Sequence, residues 1–159
     1  MRLVMAREED VGLVLSFIRK LAEFEKLAHV VTATEEGLRE ALFGARPVAE
    51  VVLAYEEDEP AGFALFFPNF STFRGRAGLY LEDLFVEPQH RGKGIGKALL
   101  VYLAKLAVER GYGRVQWVVL DWNVAAMEFY RKLGAEAMDG WKVMLVAGEA
   151  LERLAGSGQ

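Results

Sequence analysis

Apolar positions along the chain alternate between two spacings. Leu13, Val14, Phe17, Ile18 and Leu21 recur at intervals of three and four, the period of one buried helix face, and Asp10 stands where such a helix needs a cap. A second helix is predicted to open at Thr34, with Glu35 and Glu36 in its first turn, where carboxylates meet the positive end of the helix dipole. Residues 2–6 predict a short first strand. Residues 48–55, rich in Val, predict another, and the acidic turn 56–60 separates it from the apolar run 61–67, the pattern of an antiparallel hairpin. Residues 68–78 are polar and turn-rich and predict a loop; 79–86 resume as a strand. Leu99, Leu100, Leu103, Leu106 and Ala107 form the apolar face of a long helix that runs to about Arg110 and ends before Gly111 and Gly113. Residues 115–120 do not alternate and predict a strand buried on both faces. A shorter helix over 124–133, a last strand over 141–147 and a terminal helix over 149–154 follow. The expected domain is single, residues 1–155, with a flexible tail at 156–159.

Composition narrows the function. The chain has 159 residues, 53% hydrophobic, enough to build one core. Lys and Arg number 19 against 23 Asp and Glu, a net charge of −4. A duplex-binding surface is basic, so nucleic acid is not the expected partner, and cationic small molecules suit the balance better. The absence of cysteine excludes disulfides, a thiol nucleophile and thiolate metal sites. His29 and His90 are the only imidazoles, so no multi-histidine metal site is expected, and both read as exposed loop residues. No apolar run approaches the roughly 20 residues of a membrane span, and no basic leader opens the chain. The expectation is a soluble, cytoplasmic protein with no membrane partner.

One segment carries recognisable chemistry. Arg91, Gly92, Lys93, Gly94, Ile95, Gly96 and Lys97 follow the strand 79–86 and the turn 87–90, and they open the longest helix. Strand, glycine-rich turn and helix start together make an anion site: glycines let backbone approach a phosphate, and the helix presents unpaired N–H groups. A P-loop requires Ser or Thr where Ala98 stands. The dinucleotide fingerprint requires glycine where Lys97 stands.

Residues 86–96 resemble the acyl-CoA pyrophosphate signature of the GNAT superfamily of N-acetyltransferases, Arg/Gln-x-x-Gly-x-Gly/Ala after a strand and at the head of a helix. Leu120-Asp121-Trp122-Asn123 and Phe129-Tyr130-Arg131-Lys132-Leu133-Gly134-Ala135 resemble a second block of that family. Within it, residues 80–86, residues 21–25 and Gly140-Trp141 resemble the diamine and polyamine acetyltransferases. Residues 71–76 and 119–123 are more similar to the thialysine-acetylating branch. Thr72 stands where spermidine/spermine enzymes carry an acidic residue, which argues against long polyamines. The resemblance implies an α/β (α+β) GNAT fold, a mixed central sheet flanked by helices. It implies acetyl-CoA as co-substrate, no metal, and a homodimer that acetylates a small amine. Two other activities stay open: acetylation of a protein or peptide, and acyl-CoA sensing without turnover.

Roles follow from the reaction the resemblance implies. An alkyl ammonium holds its proton up to a pH of about 10.4 and must lose it before attack. Glu82 is the expected general base, directly or through water, with Asp83 attracting the cation. Neighbouring strand residues face opposite sides, so both reach one cleft only if a bulge intervenes. Tyr130 is the expected proton donor to the departing thiolate, although its spacing with Met127 and Leu133 also fits a buried stripe. Backbone amides of Leu84, Phe85 and Val86 are expected to hold the pantetheine arm, with Asn123 and Ala126 as further cofactor contacts; Asn123 equally suits a helix N-cap. Phe24, Glu25, Thr72, Asp139 and Trp141 complete the expected amine side, aromatic and acidic groups suiting an ammonium. Phe66, Phe67, Phe70 and Phe73 crowd one short stretch, more apolar surface than a small domain readily covers, and support the homodimer.

Overall fold

A computed structural model describes residues 1–158. The elements in chain order are β1 (Arg2–Met5), α1 (Val11–Phe24), α2 (Glu35–Phe43), β2 (Glu50–Glu56), β3 (Glu59–Ser71), β4 (Arg76–Val86), α3 (Ile95–Glu109), β5 (Val115–Gln116), α4 (Val124–Lys132) and α5 (Gly148–Gly156). The strands form one mixed sheet in the order β1-β2-β3-β4-β5, antiparallel except that β5 runs parallel to β4. The chain divides into two compact units, residues 1–118 and a second beginning at Val119. The first holds the whole sheet with α1, α2 and α3; the second holds α4 and α5.

The apolar face of α1 packs on the sheet as its spacing predicts. Phe17 stacks on Phe63 at 5.4 Å between ring centroids and tilts against Phe85 at 6.0 Å. Val14, Leu42 of α2, Val51 and Leu53 complete this cluster. The opposite face buries Val52, Ala64, Phe66, Leu79 and Leu81 on the side of α3, where Leu99 and Leu103 are also fully buried. Thr34 caps α2, its hydroxyl accepting the N–H of Gly37 at 3.1 Å. Asp10 stands at the N-cap of α1, but its carboxylate accepts the N–H of Arg7 instead, at 2.7 Å.

Several elements differ from the sequence expectation. The expected loop 68–78 shrinks to a short turn, because β3 and β4 extend through Pro68 and Gly78. Proline is tolerated there because the β2 ladder ends at Glu50 opposite Phe66, so Pro68 faces no strand on that side. The expected strand 115–120 forms only as Val115–Gln116 and is not buried on both faces; Val118 is exposed. Residues 141–147 form no strand. A strand exists only through a ladder partner, and among the described residues none pairs with them; Trp141 is 77% exposed. Of the expected tail, Gly156 belongs to α5 and the Ser157 hydroxyl donates to the Leu154 carbonyl, while Gln159 lies outside the described residues.

Phe63 has no exposed surface and sits between Phe17 and its cross-strand partner Phe85. Phe63→Ala is expected to cost about 3–5 kcal/mol in denaturant unfolding. A loss below about 1 kcal/mol would show that this cluster does not hold the sheet to α1.

Candidate active site

The register of β3 on β4 shifts by one residue between Leu65 and Phe66. Leu65 pairs with Asp83 and Phe66 with Leu81, so Glu82 has no partner and forms a β-bulge. Directly paired residues share a face of the sheet. Leu65 and Phe66 are neighbours and face opposite sides, so Leu81 and Asp83 do as well. Glu82, alternating from Leu81, therefore joins Asp83. Leu65 packs with the Phe17–Phe63–Phe85 cluster, so both carboxylates stand on the α1 face. The bulge that two acidic neighbours require is present at the residue expected to act as base.

Glu25 completes the group. It follows the last turn of α1, and its charge reaches Asp83 across the α1 face. Burial, and then the charges of Glu82 and Glu25, push the Asp83 carboxyl up to about 6. Burial also raises Glu25. Tyr80, two residues before the bulge and on the same face, is raised by burial first and by the Glu82 charge second. Its ring stacks on that of Phe67 at 5.2 Å. In the sequence Phe67 read only as part of the phenylalanine-rich stretch that favours a dimer, and Tyr80 as an ordinary strand residue. The period-two pattern carries the signal: residues opposite one another beside a bulge that holds two carboxylates share their face.

The edge of β4 beyond this point is open. β5 pairs with β4 only at Leu79 and Tyr80, so from Leu81 to Val86 no strand lies beside it among the described residues. Leu84, Phe85 and Val86 thus present main-chain groups to an extended ligand as a further strand would meet them. The chain then turns through a short 3-10 turn, Pro88–His90, into the glycine-rich loop. Gly92 and Gly94 have φ of +79° and +82°, and a Cβ built on either would meet nothing within 4 Å. Glycine is required there by conformation and leaves space above the backbone. Gly94 is the N-cap of α3, and Ile95 is buried, which anchors the helix start. Gly96 follows in the first turn, and Lys93 and Lys97 are exposed cations beside it. Arg91 is placed differently: its Nε donates to the Val86 carbonyl at 3.0 Å, and its guanidinium lies 5.0 Å from the Phe24 ring and 5.7 Å from that of Phe85. His90, expected to be exposed, is buried.

The remaining residues lie on other elements. Thr72 lies in the β3–β4 turn, past the Ser71–Arg76 pair, about 20 Å along the strands from the bulge. Asn123 caps α4, its side chain accepting the N–H of Ala126 at 3.3 Å. Tyr130 lies on α4 beside Phe129, the rings 5.5 Å apart. Asp139 and Trp141 are exposed in the second unit. Among the described residues no group of three His, Cys, Asp or Glu side chains is placed to hold a metal, and no helix is long and apolar enough to cross a membrane.

The model of the Acetyltransferase (GNAT) family matches residues 18–135. Thialysine N-epsilon-acetyltransferase of Mus musculus is 41% identical over 98% of this chain and 97% of its own length. L-ornithine N5-acetyltransferase of Arabidopsis thaliana is 33% identical over 96% of this chain and 87% of its own. Among solved structures, an integron cassette protein from the mobile metagenome of V. cholerae superposes with a TM-score of 0.80 at 28% identity, covering 97% of this chain and 96% of the other.

The Asp83 carboxyl binds its proton more tightly folded than unfolded, so the native state carries the extra proton between about pH 4 and pH 6. Its contribution to stability is therefore present below that window and is lost as the pH rises through it, a change on the order of 3 kcal/mol. Asp83→Asn is expected to stabilise the protein relative to wild type at pH 8 and not at pH 4, read from denaturant midpoints. An equal difference at both pH values would show that Asp83 carries no such strain.

Proposed function

The chain belongs to the GNAT acetyltransferase family, and from that premise we propose that it moves an acetyl group from acetyl-CoA to a primary amine of a small diamine, polyamine or lysine-like amino acid by direct attack. The observation that carries this reading is the bulge at Glu82. It gathers Glu82 and Asp83 on the face that Glu25 also reaches, beside the open edge of β4. An ammonium is the ligand that three neighbouring carboxylates favour. Both relatives described above are named for transfer to amino acids with a side-chain amine, which supports a small substrate.

Acetyl-CoA would supply the acetyl thioester. The residues present fit it: the loop from Arg91 to Lys97 offers space over two glycines and a helix start to a pyrophosphate. The main-chain groups of Leu84 to Val86 that face away from β3, apart from the Val86 carbonyl taken by Arg91, offer hydrogen bonds to the pantetheine amides and to the thioester carbonyl. Asn123 and Ala126 are assigned to the cofactor by their motif. Glu82 takes a proton from the substrate ammonium, which frees the lone pair that attacks. Asp83 and Glu25 hold the cation in place beforehand, with Phe24, Asp139 and Trp141 assigned to the amine side; Thr72, in the far hairpin turn, is too distant from the bulge to join them within one chain. Tyr130 gives its hydroxyl proton to the departing sulfur. This reading takes residues 1–155 as one catalytic domain working in the cytoplasm.

Turnover with a panel of small diamines, lysine-like amino acids and peptides, followed by thiol release from acetyl-CoA, tests the reaction. Release with peptides alone would replace the small-amine reading, and CoA binding without release would leave a sensor. Tyr130→Phe is expected to lower turnover on the order of 100-fold with CoA binding intact. Glu82→Gln is expected to lower it comparably, also with CoA binding intact. Wild-type rates in both variants would take these residues out of the mechanism.

The working unit proposed is a homodimer. Phe66 is buried in β3, but Phe70 is 62% and Phe73 99% exposed at the tip of the β3–β4 hairpin. Two exposed aromatic rings so close together favour a covered surface. Sedimentation at micromolar concentration is expected to give twice the chain mass and Phe70→Ser to shift it toward one. A wild-type species of single-chain mass would exclude the dimer.

A further inference from the structure

Among the described residues only two polar side chains are buried, Glu87 and His90, 7% and 6% exposed. They lie three residues apart, in the turn that joins β4 to the glycine-rich loop. Burying a polar side chain costs stability unless it is well partnered. A surface turn gains nothing by it unless the turn must be held in one place.

The partners show where it is held. Glu87 accepts a hydrogen bond from the Nζ of Lys20 on α1, and its own N–H donates to the Ala61 carbonyl of β3 at 2.8 Å. His90 Nε2 lies 3.4 Å from the Glu59 carboxylate at the start of β3, out of line for a hydrogen bond. The backbone closes on itself within the turn, the His90 N–H donating to the Glu87 carbonyl at 2.9 Å. Beside it, a Cβ on Gly62 would strike the Phe85 carbonyl at 2.4 Å, so β3 and the end of β4 are in direct main-chain contact. Immediately after His90, Arg91 turns back to Val86 and Phe24. The imidazole is thus the last buried group before the chain leaves the sheet, seated between the loop and the β2–β3 hairpin.

We infer that His90 is a positioning residue for the cofactor loop: wedged against Glu59, it fixes where residues 91–97 stand relative to the open edge of β4. This rests on the reading of that loop as the pyrophosphate site. The acyl group and the pyrophosphate sit at two ends of one ligand, so the spacing between edge and loop decides how well both ends are held at once. His90 touches neither substrate nor cofactor, and its effect falls on binding rather than on the chemical step.

The test is calorimetric titration of the full chain with CoA, with steady-state rates for whichever amine it accepts. His90→Ala is expected to weaken CoA binding about tenfold and to raise KM for acetyl-CoA in step, with kcat at saturation unchanged. His90→Gln, which refills the space with a flat polar group, is expected to restore most of the affinity. Glu59→Gln changes an exposed side chain and is expected to weaken CoA binding by a smaller factor without affecting folding. A folded His90→Ala variant that binds CoA as wild type does, or loses kcat with KM unchanged, would overturn the inference. If His90→Ala does not fold, wild-type affinity in Glu59→Gln overturns it instead. No CoA binding by the wild type would overturn the cofactor reading itself and this inference with it.

Discussion

Glu82 has no partner across the β3–β4 ladder, and that missing partner decides what each side of β4 touches. Before it, Leu79 and Leu81 face the α3 side; after it, Phe85 faces α1 and meets Phe17 and Phe63. Strict alternation from Leu81, with no bulge, would turn Phe85 toward α3 and break the aromatic cluster that holds α1 to the sheet. It would also send Glu82 and Asp83 to opposite faces. Packing and chemistry thus depend on one local irregularity. The hydrophobic cost of straightening the strand protects the carboxylate pair.

That pair is held at an electrostatic disadvantage. Asp83 is pushed toward neutrality by burial and by two negative neighbours, in a chain that is acidic overall. Under the proposed function, a bound cation would relieve this repulsion, and part of its affinity would come from charge repulsion already present in the free protein. Arg91 is engaged by the Val86 carbonyl and the Phe24 ring. The groups that act on the Asp83 charge are the carboxylates of Glu82 and Glu25.

Much of this was legible in the residues. The periods of α1 and α3, the cap at Thr34 and the glycines at Gly92 and Gly94 are local signals, and each element formed where its signal stood. The acidic pair itself was legible, but whether both carboxylates share a face turned on a bulge, and the bulge shows only in the β3–β4 register. What was not legible depends on distant partners. Pro68 and Gly78 read as loop residues, yet sit in strands because the β2 ladder stops short of Pro68 and Asn69 pairs with Gly78. Residues 141–147 carry a strand's composition, and composition does not supply a neighbour. His90 read as exposed because its burial comes from Glu59 and β3, far away in sequence. Arg91 read as a phosphate ligand, and its contacts with Phe24 and Val86 show only in three dimensions.

The unpaired stretch of β4 has a second consequence, for solubility. A strand with one side free is a template on which another copy can add its own. Two such edges meeting antiparallel about their midpoint would set Glu82 of one chain against Phe85 of the other and Asp83 against Leu84, with the partner's two carboxylates in the same short ladder. Four carboxylates would then crowd a dry contact, and the kink at the bulge would spoil the straight register that stacking needs. On the proposed function, the charges that would draw a cationic ligand to this edge would also oppose its being filled by a second copy of the protein.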